Sequence, residues 1–403
     1  MTDSLLVIAP HPDDEILGAG RIIASAIARG GSVAVIIATT GSESIPGADP
    51  EKLSLQRRQE CEAGLIALLG KIPPILFLNE PDGKLDSRAV NVTSPAIASF
   101  LAKAAADIIL VTDPADGHPD HKAAFGFATR LIAAGHGRKL LVMPISQRVD
   151  GIFDPKDFQQ IPVSPYDKQK KAALECHSSQ IGGAGFSLAP QLIADFSSYE
   201  YVRTAFDRQD CDNDAIRAAH FDNLFDASPD PWDYNDAPYE RDRFRRTVAA
   251  LADRHYTSAL ELGCANAALT EQLAPLCDMI LATDASGSAM DAARARIGSR
   301  GDVTVQVASL PDELPAGPFD LIVASDMLYY LGFEGIVQLM GKLDGQASPD
   351  CRILIASYLG ETDTRLTGEM SSETAIAHLT EWRRVHCERT DMLRIDVLER
   401  ACR

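Results

Sequence analysis

The first half of the chain repeats one rhythm: a short apolar run of strand formers, then a segment with apolar positions at helical spacing. LLVIA at 5–9 precedes a helical pattern over 16–30, and VAVIIA at 33–38 precedes a polar loop and a second helical pattern over 51–70. ILFL at 75–78 leads to 94–106. IILV at 108–111 leads through a polar turn to 122–135, and LLVMPI at 140–145 follows. Runs that are apolar at every position belong to strands covered on both faces, so the alternation predicts a parallel sheet between two layers of helices. In such sheets ligands gather beyond the carboxyl ends of the strands.

Around 207–220 the pattern breaks into DRQDCDNDAIRAAH, which is acid-rich and poor in strand formers. The rhythm then restarts with expected strands at 258–262, 279–283, 303–307, 319–325 and 352–358, and a terminal hairpin over 382–389 and 392–400. The fold class read from this is α/β: two Rossmann-like three-layer domains, 1–206 and 221–403, joined by a linker at 207–220. No short-period repeat suggests a solenoid.

Composition narrows the classes. With 403 residues the chain exceeds one ordinary core and suits two domains of about 200 residues. No run reaches the roughly 18 uncharged apolar residues of a membrane span. The start, MTDSLLVIAPHPDDE, lacks the basic residues and long apolar run of a secretory signal, so a cytoplasmic location is expected. A net charge of −19 repels phosphate backbones and anionic lipid surfaces, which argues against nucleic-acid or membrane partners. The densest basic run, KQKK at 168–171, reads as a solvated helix face. Eight cysteines (61, 176, 211, 264, 277, 351, 387 and 402) include no CxxC pair. They read as reduced thiols, and a cysteine-ligated metal site is not expected.

Two clusters in the first half carry chemistry. Ala9-Pro10-His11-Pro12-Asp13-Asp14-Glu15 follows the first strand, and Asp116-Gly117-His118-Pro119-Asp120-His121 follows the strand at 108–111. Histidine nitrogen and carboxylate oxygen suit Zn²⁺, and the prolines restrict the loops that aim them. A catalytic zinc needs about three protein ligands and an open position for water. Asp13 and Asp14 are adjacent and point different ways, so one is expected on the metal and the other beside the water as general base. Iron would fit the same ligands. Glu15 reads as a helix-start residue, and His136, His220, His255, His378 and His386 are not expected to be ligands.

The PHPDDE and HPDH motifs resemble the PIG-L (LmbE-like) family of metal-dependent deacetylases over roughly residues 1–205. The resemblance implies hydrolysis of an N-acetyl group on an N-acetylglucosaminyl conjugate or related amide. It implies His11, Asp14 and His121 as metal ligands and Asp13 as base. His118 would be a protonated histidine that stabilises the oxyanion and helps the amine leave, and Asp120 would orient a histidine. Lys170, Ala173, Leu174, His177, Ser179 and Gln180 match a family element assigned to lining the substrate site. One departure stands out: some members carry tyrosine where this chain has Asp116, so a phenolic donor is absent or comes from elsewhere.

In the second half, Leu260-Glu261-Leu262-Gly263-Cys264-Ala265-Asn266-Ala267 has the shape of an E-x-G-x-G-x-G turn with two glycines replaced by alanine. Such a turn lets backbone approach a ligand at a helix N-terminus. Asp284 ends the next strand about 20 residues on, where a carboxylate can accept both ribose hydroxyls. A nicotinamide dinucleotide would satisfy the same logic, but pyrophosphate prefers a glycine-dense turn. The run Phe319–Tyr330 resembles the fourth strand of class I methyltransferases. Asp230-Pro231-Trp232-Asp233-Tyr234 with Pro238-Tyr239-Glu240 resembles the lid of NodS-like methyltransferases, a family that N-methylates de-N-acetylated chitooligosaccharides. This resemblance covers about 220–402. It implies S-adenosylmethionine as donor, with Glu261, Gly263, Asp284 and the backbone near Leu310 around it and Trp232 and Tyr239 closing over it. Trp232 has a plain core reading as well. Asp326 is expected to act as a base or hold the acceptor amine, with a structural role as its counterpart.

Joined in one chain, the two halves suggest consecutive steps on one small-molecule amino sugar or glycoconjugate. The alternatives are a deacetylase and an O-methyltransferase acting on separate substrates, or a deacetylase with a non-catalytic donor-binding domain.

Overall fold

The computed structural model describes residues 3–88, 90–162, 165–181, 189–209, 216 and 218–401. The chain divides into two compact units, 1–209 and 210–403. The helix Ala218–Ala227 begins inside the segment expected to be linker. Cys211 and Cys402 fall outside the described residues; the other six cysteines are free thiols. Among the described residues no helix is long and apolar enough to cross a membrane.

The first unit holds seven strands: β1 (Leu5–Ala9), β2 (Val33–Thr39), β3 (Ile75–Glu80), β4 (Ile108–Thr112), β5 (Lys139–Met143), β6 (Gln159–Ile161) and β7 (Glu200–Asp207). Their order is β3-β2-β1-β4-β5-β7-β6. The pairs among β1 to β5 are parallel, with Leu5 opposite Val33 on one side and Ile108 on the other. β1 and β2 are buried at every residue, as their unbroken apolar sequence requires. β6 and β7 add an antiparallel edge that the apolar pattern did not announce. β7 alternates apolar with polar residues, and one of the latter, Glu200, is wholly buried.

The second unit repeats the plan with β8 (Tyr256–Leu262), β9 (Cys277–Asp284), β10 (Val303–Val307), β11 (Phe319–Ser325), β12 (Ala347–Tyr358), β13 (Trp382–Arg389) and β14 (Leu393–Arg400). Its order is β10-β9-β8-β11-β12-β14-β13, with the last two strands antiparallel. In each unit the sheet reverses direction of growth between its first and fourth strands, β1/β4 and β8/β11. Loops leaving the carboxyl ends of those neighbours diverge to opposite faces and leave a crevice, the usual place for a ligand in an open α/β sheet.

Candidate functional site

The β1/β4 crevice gathers both His/Asp clusters. His118 caps the helix Pro119–Ala133: its Nδ1 accepts from the Asp120 amide at 3.2 Å, and Pro119 takes the first helical position. Asp120 and His121 therefore lie on the first helical turn. His11 leaves β1 and meets them. Its Nδ1 is 3.2 Å from Asp14 Oδ2, and its Nε2 is 3.2 Å from Asp120 Oδ2 and 3.3 Å from Asp82 Oδ1. His121 Nε2 lies 3.5 Å from the same Asp14 oxygen, so Asp14 stands between two imidazoles.

His11, His118 and His121 can each offer a ring nitrogen such that all three lie within 4.8 Å of one another; His11, Asp82, His118 and Asp120 form a second such group. Buried imidazole and carboxylate donors at these spacings fit a divalent ion such as Zn²⁺. The charges are tightly linked. Burial alone would lower the pKa of His11, but Asp120, Asp14 and Asp82 raise it well above the ordinary imidazole value. Burial would raise Asp14, but His121 and His11 hold its carboxyl far below the usual range.

Asp13 Oδ2 lies 3.0 Å from Arg57 Nη2; Arg57 also donates to the Gly41 carbonyl. Burial, then the neighbouring charges of His11 and His121, lower the pKa of His118. Its Nδ1 accepts from the Asp120 amide, which leaves Nε2 as the ring nitrogen not engaged by the helix cap. Asp120 orients His11, and its own carboxylate is fixed by the Gly83 and Leu85 amides.

In the 170–180 element, Lys170, His177 and Gln180 are all buried. Lys170 is fully buried, donating to Glu200 at 2.7 Å and to the Leu17 carbonyl at 2.8 Å, so the basic run is not wholly a solvated face. His177 is 1% exposed with its ring against Gly64, where an added Cβ would lie 2.9 Å from Nε2. Gln180 is buried and donates to Ser179 Oγ. Glu15, read as a helix-start residue, is wholly buried; burial, with Asp13 beside it, pushes its carboxyl to about 8.

Two residues of this crevice escaped the sequence reading. Asp82 follows the carboxyl end of β3, the same rim rule that flagged the other clusters. Arg57 lies on the helix Pro50–Leu69, on the buried side with Leu53, Cys61 and Gly64, where a polar residue in an apolar stripe was the available signal.

In the second unit a cavity of roughly 890 Å³ opens at the β8/β11 crevice. Gly263, Asp284, Leu310, Trp232, Tyr239 and Asp326 all line it. Gly263 has φ +68° and faces Met327, whose Cβ would sit 2.7 Å from an added side chain. Ala265 and Ala267 keep the positive φ of the glycines they replace, 51° and 62°. Asp284 Oδ2 accepts from the Ala265 amide at 3.0 Å and Oδ1 from the Ser286 amide at 2.9 Å, which aims the carboxylate at the cavity floor. Glu261 is the exception: it is 2% exposed, accepts from Thr270 Oγ1 at 2.6 Å and supports the turn without lining the cavity.

Trp232 is half-buried between Phe225 and Tyr234, so it belongs to the cavity wall and not to a sealed core. Asp326 sits at φ 52°, turned into the cavity as β11 ends. Its Oδ2 lies 3.1 Å from Arg243 Nε and accepts from Tyr239 Oη at 3.2 Å. Arg243, which no sequence motif flagged, also binds Glu240. Two carboxylates thus flank one guanidinium, and Tyr239 and Tyr358 meet edge to face 5.1 Å apart beside them. An anionic balance with aromatic faces attracts a cation.

Crevice and cavity together define a two-domain α/β chain, with a His/Asp metal-type centre in one unit and a nucleoside-sized cavity behind a glycine turn in the other. A family model described as GlcNAc-PI de-N-acetylase (PIG-L) matches residues 6–132, and one described as Nodulation protein S (NodS) matches residues 222–387. Nodulation protein S of Bradyrhizobium diazoefficiens is 31% identical over 169 residues, covering 40% of this chain and 80% of that protein. The Rhizobium tropici protein is 32% identical over 157 residues, and the match spans 38% of this chain and 66% of its length. The chain belongs to the NodS family through its second unit and carries a PIG-L deacetylase domain in its first. Among solved structures, N-methyltransferase NodS from Bradyrhizobium japonicum in complex with S-adenosyl-L-homocysteine is 23% identical with a TM-score of 0.40, covering 45% of this chain and 97% of that one. N,N'-diacetylchitobiose deacetylase from Pyrococcus horikoshii is 22% identical with a TM-score of 0.41, covering 50% and 82%.

Proposed function

We propose that the chain hydrolyses an N-acetyl group on an amino sugar or glycoconjugate in its first unit and methylates the freed amine from S-adenosylmethionine in its second. The observation that carries the reading is Asp14 standing between His11 and His121, 3.2 and 3.5 Å away, with Asp13 the preceding residue of the same loop.

His11, Asp14 and His121 would hold a divalent ion, which when bound supplies Lewis acidity. Asp13 accepts a proton from the attacking water. His118, through Nε2, hydrogen-bonds the oxygen that becomes negative as water adds to the carbonyl. The C–N bond then breaks as the proton held by Asp13 passes to the nitrogen, and acetate and an amine leave. Water is consumed and no oxidant is needed.

In the second unit Asp284 would hold the donor's ribose and the Gly263 turn its amino-acid end. The amine nitrogen attacks the methyl carbon as the C–S bond breaks and the electron pair stays on sulfur. Asp326 faces the cationic nitrogen and takes the released proton. Alignment of nucleophile and methyl supplies most of the acceleration. Amine acceptance follows from the excess negative charge around Arg243, where a neutral hydroxyl would gain less.

Full-length protein incubated with Zn²⁺, S-adenosylmethionine and a panel of N-acetylglucosaminides tests this by mass spectrometry. Free amine followed by N-methyl amine is expected. Free amine as the final product, with methyl transfer to hydroxyl acceptors, would overturn the coupled reading.

A further inference from the structure

Asp116 is wholly buried at the loop after β4 and touches no solvent. Its Oδ2 lies 2.7 Å from His121 Nδ1. The same carboxylate accepts from the Ile145 amide at 3.0 Å and the Gln147 amide at 3.1 Å, both just beyond β5. Two strands therefore fix it before it meets the ring. A neutral imidazole that gives Nδ1–H to a carboxylate keeps a lone pair on its other nitrogen, and here that nitrogen, Nε2, faces Asp14. Asp113, three residues earlier and equally buried, is used differently: Arg203 donates to it at 2.7 Å.

We propose that Asp116 is a positioning residue that fixes the tautomer and ring orientation of His121 and so sets the affinity of the centre for its metal ion. The inference rests on the metal reading of the first unit.

The test titrates Zn²⁺ alone into full-length apoprotein against a chromophoric chelator, with folding followed by circular dichroism. Asp116→Asn keeps an acceptor oxygen but loses the charge. Asp116→Ser is too short to reach the ring. Asp113→Asn is the control, since it removes a buried carboxylate of the same loop that does not face a histidine. Carboxylate partners of metal-bound histidines are worth about 10- to 100-fold in affinity, so Asp116→Asn is expected to weaken Zn²⁺ binding within that range and Asp116→Ser at least as much. Asp113→Asn is expected to leave the affinity within about twofold of the parent, whatever it does to stability.

Equal Zn²⁺ affinity in the Asp116 variants and in Asp113→Asn would overturn the inference while leaving the metal reading in place. Failure of every Asp116 variant to fold, with Asp113→Asn folded, would assign Asp116 a structural role and overturn it too. A parent protein that binds no stoichiometric Zn²⁺ overturns the metal reading, and this inference falls with it.

Discussion

His11 Nε2 lies 3.2 Å from a carboxylate oxygen of Asp120, 109 residues further along the chain. Asp120 is itself gripped by the Gly83 and Leu85 amides, so three loops converge on one ring. Nδ1 of that ring faces Asp14 on the other side. Each loop leaves the carboxyl end of a parallel strand, so the sheet brings together residues that the sequence keeps far apart. The same geometry surrounds the His11 ring with carboxylates, which favour its charged form.

Chelation separates the two activities. Among the described residues, the groups able to hold a metal all lie in the first unit. Treatment with a strong chelator is expected to abolish release of acetate while leaving methylation of a ready-made amine acceptor unchanged. Added Zn²⁺ restores the former, and paired assays on one protein sample check both.

Asp13 pairs with Arg57, not with the imidazoles, so its loss leaves the ligand set intact. Asp13→Asn is expected to lower kcat for deacetylation by about 10²- to 10⁴-fold, the usual worth of a general base. Metal content, measured by atomic absorption, stays at the parent level. A variant that loses its metal instead would place Asp13 among the ligands.

Ala267 holds a left-handed backbone at φ 62° and is completely buried. That conformation costs a residue with a Cβ roughly 1–2 kcal/mol, whereas glycine's extra unfolded-state freedom costs about 0.4–1 kcal/mol. Ala267→Gly is therefore expected to stabilise the second unit by about 0.5–1 kcal/mol. Denaturant unfolding followed by tryptophan fluorescence measures it, since Trp232 lines the cavity of this unit.

Burial pushes the Glu261 carboxyl from its ordinary 4.5 to about 7. Between those values the folded state keeps a proton that the unfolded state releases. Stability of the second unit therefore falls as pH rises from about 4.5 to 7, and levels off above. Glu261→Gln keeps an acceptor for Thr270 and carries no charge, so the part of the slope that Glu261 contributes is expected to vanish. Above pH 7 the variant gains at most roughly 3 kcal/mol. Calorimetric scans at pH 5 and pH 8 compare the two proteins.

The sheets were legible because wholly apolar runs have few places to go except a strand covered on both faces. β1, β2, β8 and β11 appear where LLVIA, VAVIIA, SALEL and FDLIVAS stand. The antiparallel β6 and β7 were not, because β7 mixes apolar residues with polar ones whose partners lie elsewhere. Glu200, for example, is paired by Lys170 inside the core. The candidate sites were legible where reactive residues cluster within a few positions, as in PHPDDE and HPDH.

Partnership was another matter. The sequence by itself determined that both His/Asp loops sit at strand ends, and that a degraded glycine turn is followed by an acid at the end of the next strand. Only the tertiary structure decided that Asp116 meets His121, that Asp13 meets Arg57, that Arg243 neutralises Asp326, and that Lys170, His177 and Glu261 face inward. Apolar patterning is a local property read over a few residues, because burial depends on which face of an element is covered. A hydrogen bond between side chains depends on angles and distances of a few tenths of an ångström, and those are set only once the elements pack.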